Sequence, residues 1–210
     1  ATYRFFCWIS ETLHFGEALC IDEMPFELMN INMSGQLSTH IISSVVAGFI
    51  VAFPYIFWEI WRFVKPALSY SEKKYSRGVV FYTSLLFTIG VLFGYYAVAP
   101  LSVQFLGNYQ VSLEVVNQIN LNSYISTFTT VCLANGIVFH LPVLIYFLSK
   151  LGLITPNFLR QYRRHSLVIL MILAAVITPP DVMSLILVTF PLILLYEVSI
   201  KVSAKFQDKE

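Results

Sequence analysis

The sequence predicts an all-α integral membrane protein, a bundle of five transmembrane helices preceded by an external N-terminal segment lying on the membrane surface. Three observations predict it. Of the 210 residues 57% are hydrophobic and only 12% charged, against about 25% charged in an ordinary soluble domain. The charges sit in tight clusters: no Lys, Arg, Asp or Glu occurs from His40 to Trp58, Gly78 to Leu113, Val115 to Ser149, His165 to Pro180 or Val182 to Tyr196. Each run, with its flanks, is a candidate for the roughly 20 apolar residues that cross a bilayer. Polar, turn-forming stretches separate the runs.

Taken in order, residues 1–35 combine an amphipathic stretch, "YRFFCWISETLHFGEAL", with an alternating one, "PFELMNINM". The first pattern predicts a short surface helix and the second an extended strand. Helices follow at about 37–63, 78–105, 123–151, 165–178 and 183–200, divided by "SYSEKKYSRG", "GNYQVSLEVVNQINLNS", "ITPNFLRQYRR" and "TPPD". Pro54, Pro142 and Pro191 fall inside spans, where proline kinks or locally opens a helix. Gly90 and Gly94 make a GxxxG pair in the second span, a weak signal of close helix packing. Residues 36–201 therefore read as one transmembrane domain and 202–210 as a tail.

The thirteen Lys and Arg set the orientation. Arg62, Lys65, Lys73, Lys74 and Arg77 share one connection, Lys150, Arg160, Arg163 and Arg164 the next but one, and Lys201, Lys205 and Lys209 the tail. The alternate connections, 107–122 and 178–182, contain none. By the positive-inside rule the basic clusters, and with them the C-terminus, are cytoplasmic. Residues 1–35 then begin outside, which predicts an earlier span that delivers them and is missing from this sequence.

Catalytic and cofactor chemistry find little support. There is no glycine-rich phosphate loop, no metal-ligand spacing and no Ser, Lys or His pattern for intramembrane catalysis. The reading is a non-enzymatic protein without cofactor or metal. Cys132 reads as a small packing residue, while Cys7 and Cys20 share the external segment, where a disulfide and free thiols both remain open. The 33 aromatic residues, 18 Phe, 12 Tyr and 3 Trp, read as core and interfacial belts and not as a platform for nucleic acid.

Four places carry candidate chemistry. Glu72 stands in a loop of lysines, either as a solvated acid or as a carboxylate that would pair with an arginine-bearing peptide, because guanidinium and carboxylate pair bidentately. The lysines around it attract anionic headgroups under either reading. His140 lies midway along a span, where an ionisable group faces a bundle interior or a wet cavity; equally, it would donate to a carbonyl freed by Pro142. Thr178 and Asp181 bracket the "TPPD" turn, Asp181 capping the last helix while Pro179 and Pro180 keep two spans from fusing. Glu197, near the cytoplasmic end of the last span, would snorkel or pair with Lys201.

"FWEIWRFVKPALSYSEKKY", "LGLITPNFLRQYRRHSLVILMILAAVITPPD" and "FPLILLYEVSI" resemble, in order and spacing, the TatC family of twin-arginine translocase proteins, over about residues 36 to 201. The resemblance implies a six-helix protein of the bacterial cytoplasmic (inner) membrane, this chain supplying the second to sixth helices and residues 1–35 being periplasmic. It further implies a receptor for twin-arginine signal peptides of folded proteins that works with TatB, recruits TatA-type subunits, joins further TatC copies and is driven by the proton motive force. In that family the acid at the position of Glu72 contacts the signal's arginine pair, and Phe63, Pro66 and Leu68 match neighbouring motif positions. Many members carry a glutamate where this sequence has His140. Many also carry a glutamine where it has Leu185, at which a polar contact is held to recruit the partner helix.

One length stands out. Thirteen residues separate Arg164 from Thr178, about 20 Å of helix at about 1.5 Å per residue, less than the roughly 30 Å hydrocarbon core. The nineteen residues from Val182 to Ile200 reach about 28 Å. The last two spans thus form a hairpin whose first limb is too short, a mismatch relieved by thinning, tilt or water entry. The main alternative is a secondary transporter for a small solute, which would show internal repeats and a midplane ion site. No repeat is visible, and His140 is the only ionisable group in the middle of a span. An intramembrane enzyme would need a second group facing His140, and a lipid-facing structural protein would tolerate loss of its loop acids.

Overall fold

The computed structural model describes residues 27–64, 76–110, 118–150, 152 and 154–207. The amphipathic stretch, Cys7 and Cys20 lie outside the described residues, as do Pro66, Leu68 and Glu72. Within the alternating segment a strand forms, β1 (Glu27–Met29), followed by the 30-residue α1 (Gly35–Val64). Next come α2 (Ser76–Phe93), a π-helical turn (Gly94–Val98) and α3 (Ala99–Asn108). A second strand, β2 (Gln118–Asn120), leads into α4 (Leu121–Val138) and α5 (Leu141–Lys150). The short α6 (Pro156–Gln161), α7 (Arg163–Ile177) and α8 (Val182–Gln207) complete the described chain.

The five predicted spans map onto α1, α2 with α3, α4 with α5, α7, and α8. Four stretches among the described residues are long and apolar enough to cross a membrane: Gly35–Phe63, Gly78–Asn108, Leu121–Ser149 and Val182–Ala204. The fifth, α7, has 15 residues, about 22 Å at about 1.5 Å per residue, so the short limb read from the sequence is present. Helix α8 runs to Gln207, making the start of the predicted tail helical. Large apolar side chains on the outside, Val45, Phe81, Ile169 and Phe190 among them, present the surface that lipid solvates while each helix satisfies its own backbone.

The prolines act unequally. Pro54 and Pro191 sit inside continuous helices. At Pro142 the helix breaks into α4 and α5, with Phe139 and His140 in a turn between them. The π turn lies just ahead of Pro100, whose missing N–H deprives the carbonyl of residue 96 of its usual i+4 donor. Gly152, at φ 72°, takes the left-handed conformation just past α5, and Thr155 caps α6 through Phe158 N–H at 3.2 Å.

Two apolar clusters hold the bundle. Phe87, Val91 and Cys132 join α2 to α4, with Ile50 and Phe53 of α1 packed on them. The other centres on α8, whose Val188, Leu192, Tyr196 and Ile200 gather residues of the π turn, α4, α5, α6 and α7. A Cβ on Gly90 would lie 2.7 Å from the Asn135 carbonyl oxygen, and one on Gly94 would lie 3.0 Å from Cys132 Cα, so the backbone of α4 approaches the second span closely at the GxxxG pair. At the end away from the basic clusters, β1 and β2 pair in parallel, Leu28 opposite Ile119. There too Thr39 donates to Asn122 Oδ1 at 2.7 Å.

Candidate functional site

At the basic end, α1 delivers Phe63 to the start of the loop that holds Glu72. The ring is 85% exposed although it is apolar, one residue before the helix ends. One turn earlier Arg62 and Glu59 approach to 3.8 Å, both largely exposed. Phe63 is thus the one loop-motif residue of the predicted set that the described residues place, and it is uncovered.

His140 stands in the α4–α5 break, walled by rings of two other helices. Its imidazole stacks on Phe53 and Phe57 of α1 at 5.3 and 6.4 Å and on Phe87 of α2 at 5.8 Å, with interplanar angles of 18°, 11° and 7°. Neither ring nitrogen has a hydrogen-bond partner, although both are buried; the expected bond to a carbonyl freed by Pro142 is not made. The carbonyl that Pro142 leaves without its usual donor is that of Val138, and the His140 ring lies instead against the aromatic wall. Unpartnered buried polar atoms normally cost about 1–3 kcal/mol each. Asn135 Oδ1 on α4 and Trp61 Nε1 near the basic end of α1 are likewise buried and unpartnered.

The outer turn is built as its sequence suggests. Thr178 closes α7 by donating to the Ala174 carbonyl at 2.9 Å, and the Asp181 amide donates to the Pro179 carbonyl at 2.6 Å. Asp181 Oδ1 caps α8 by accepting from the Ser184 amide at 2.5 Å. Both Thr178 and Asp181 are buried, and Asp181 Oδ2 has no partner. The Ser184 hydroxyl lies 2.6 Å from that of Ser102, tying the hairpin tip to α3. Pro180 follows at the tip without a hydrogen bond to give.

Glu197 departs from its expected partner. It pairs not with Lys201 but with Arg163, 34 residues away, at 3.0 Å. A same-helix pair spans one turn of a single element; the Arg163 pair instead clamps the start of α7 to α8. Beside it the Tyr196 hydroxyl donates to the Leu159 carbonyl at 2.9 Å, and the Ser149 and Ser203 hydroxyls bond to one another.

No described contact joins His140 to Asp181: the histidine belongs to the α1–α2 wall and the aspartate to the α3–α8 tip. Sequence reading missed that wall, Asn135, the Ser102–Ser184 pair and Arg163. The wall had a visible signal, since Phe49, Phe53, Phe57 and Trp61 recur every fourth residue and so share one helix face. The other three had none, because each partner comes from a distant helix.

Residues 2–191 match the family model described as Sec-independent protein translocase protein (TatC). The chain is 41% identical over 203 residues to the Sec-independent protein translocase protein TatC of Blattabacterium sp. subsp. Periplaneta americana, covering 96% of this chain and 76% of that one. To TatC of Helicobacter pylori it is 42% identical over 160 residues, 76% of this chain and 63% of that one. Its fold superposes on a crystal structure of the twin-arginine translocase receptor TatC in DDM with a TM-score of 0.71 and 35% identity, over 95% of this chain and 88% of the other. With its motifs in order, its helices superposed and almost its whole length matched, the chain belongs to the TatC family of Sec-independent protein translocase proteins.

Proposed function

We propose that this chain is the receptor component of a twin-arginine protein translocase, acting in transport and not in catalysis. It binds twin-arginine signal peptides of folded proteins at the basic end of the bundle, with Glu72 as the recognition carboxylate and Phe63, Pro66 and Leu68 shaping the loop. The observation that carries the reading is the end of α1, where an uncovered Phe63 leads directly into a loop whose single acid stands among lysines. An apolar ring next to a carboxylate suits a peptide with paired guanidinium groups and an apolar segment.

His140 and the Thr178–Asp181 turn are the proposed contacts for TatA- and TatB-type single-span proteins and further copies, with the proton motive force as driver. The protein sits in the bacterial cytoplasmic membrane, residues 1–35 on the periplasmic side and the C-terminus in the cytoplasm, in keeping with the distribution of Lys and Arg. Crosslinking of a twin-arginine signal peptide to the membrane-embedded protein tests the reading. Glu72→Lys should abolish it while Glu59→Lys leaves it in place; undiminished crosslinking in Glu72→Lys would overturn the role of Glu72.

A further inference from the structure

Helix α6 and the start of α7 turn a row of rings outward at the basic end. Phe158 and Tyr162 are 48% and 41% exposed, their rings packed at 4.5 Å, and Tyr162 meets His165 at 5.6 Å. The other side of the segment is fixed inward. Pro156 and Leu159 are buried, the Tyr196 hydroxyl holds the Leu159 carbonyl, and Arg163 is clamped to Glu197. From His165 the row runs on through Ile169, Ile172 and Val176, all exposed and spaced three or four residues apart, hence on one face of α7.

The rings therefore head a lipid-facing stripe, and the length of α7 sets their depth. Its 15 residues reach about 22 Å, short of the roughly 30 Å hydrocarbon core, so the segment ahead of it lies at the headgroup level and not out in water. Aromatic rings at that level enter the acyl boundary while basic side chains meet headgroups. Charge then narrows the lipid. Arg160 and Arg164 stand two positions before and after Tyr162, both exposed, and neither makes an ion pair with a described residue. Arg163, between them, is matched by Glu197. No acidic residue occurs between Glu114 and Asp181, and Asp181 lies beyond the other end of α7. Two uncompensated guanidinium groups beside an apolar ring pair favour a phosphate with net negative charge over a zwitterionic headgroup, whose ammonium they repel.

We propose that this patch is a binding site for an anionic phospholipid of the leaflet at the basic end, the phosphate held by Arg160 and Arg164 and an acyl chain running from Phe158 and Tyr162 along the α7 stripe.

The test is photocrosslinking of the full chain carrying Phe158→p-benzoylphenylalanine, in vesicles of equal phosphatidylglycerol and phosphatidylcholine with the same acyl chains, the adducts being weighed by mass spectrometry. Phosphatidylglycerol adducts should outnumber phosphatidylcholine adducts. Arg160→Gln should lower that ratio about fivefold, the contribution of one cation at an anionic surface. Adding Arg164→Gln should bring it down to the ratio seen with the crosslinker at Phe190, on the exposed side of α8. Arg62→Gln, an exposed cation at the same end but on α1, should leave it unchanged. Equal adducts of the two lipids at Phe158 would overturn the proposal, as would a ratio that survives the double Gln variant or falls equally with Arg62→Gln. So would crosslinking to a second copy of the chain in place of lipid. Should the Phe158 variant not fold, Tyr162→p-benzoylphenylalanine places the crosslinker on the neighbouring exposed ring and is read in the same way.

Discussion

Replacing Gly90 by alanine adds a single methyl group where α2 meets α4. That carbon would lie 2.7 Å from the backbone carbonyl oxygen of Asn135 and 2.9 Å from Cβ and Cγ of Phe139. A flexible side-chain tip can yield, but a helix backbone cannot move without carrying its neighbours. Overpacking of this kind costs about 1–3 kcal/mol. In water an alanine would recover up to about 1 kcal/mol of helix propensity. In a bilayer the separated helices keep their internal hydrogen bonds, so that gain appears on both sides of the equilibrium and cancels. The control is Gly48→Ala, where an added Cβ meets nothing within 4 Å. Unfolding by titration with SDS in mixed micelles, followed through the fluorescence of buried Trp61, should show Gly90→Ala destabilised by about 1–3 kcal/mol and Gly48→Ala within about 0.5 kcal/mol of wild type. Equal stability of the two variants would refute the close approach of α2 and α4.

Three further outcomes follow from the same geometry. His140→Phe keeps the stack on Phe53 and Phe87 while removing two buried unpartnered nitrogens, so stability should hold or rise by about 1 kcal/mol while export of a folded twin-arginine reporter falls; a loss of stability would show that the nitrogens are bonded. Asp181→Ala removes the cap on α8 and should cost about 1 kcal/mol, with Asp181→Asn recovering most of it, both read by the same titration. Arg163 and Glu197 are 49% and 41% exposed, so a double-mutant cycle with Arg163→Gln and Glu197→Gln should give a coupling below about 1 kcal/mol, falling as salt rises.

The aromatic wall and the hairpin tip show how far local reading reaches. Asp181 as a cap, Thr178 as a stop and the short α7 were all legible, since each depends on residues within a few positions along the chain. The GxxxG pair was legible as a packing surface but not as the contact with Asn135 and Cys132, which lie more than 35 residues on. The Lys201 pairing read for Glu197 was not made, for the same reason in reverse. An i+4 lysine is always near on a helix, but near is not bonded when an arginine from another helix arrives with better geometry. The pairing of β1 with β2 and the π turn ahead of Pro100 went unread too, because three residues of strand or one widened turn leave no periodic trace.

Taken by itself, the order of charged and apolar residues determined that this is a membrane protein, where the apolar helices among the described residues lie, which end is basic and that one limb is short. These are properties of solvation, in which each residue answers to water or lipid almost independently of the rest. Tertiary structure alone decided that His140 turns to an aromatic wall with both nitrogens unpartnered, that Glu197 meets Arg163, and that Ser102 meets Ser184. Those are pairings between helices, and in lipid, where burial of apolar surface does not rank one helix contact above another, small-residue packing and single hydrogen bonds make the choice.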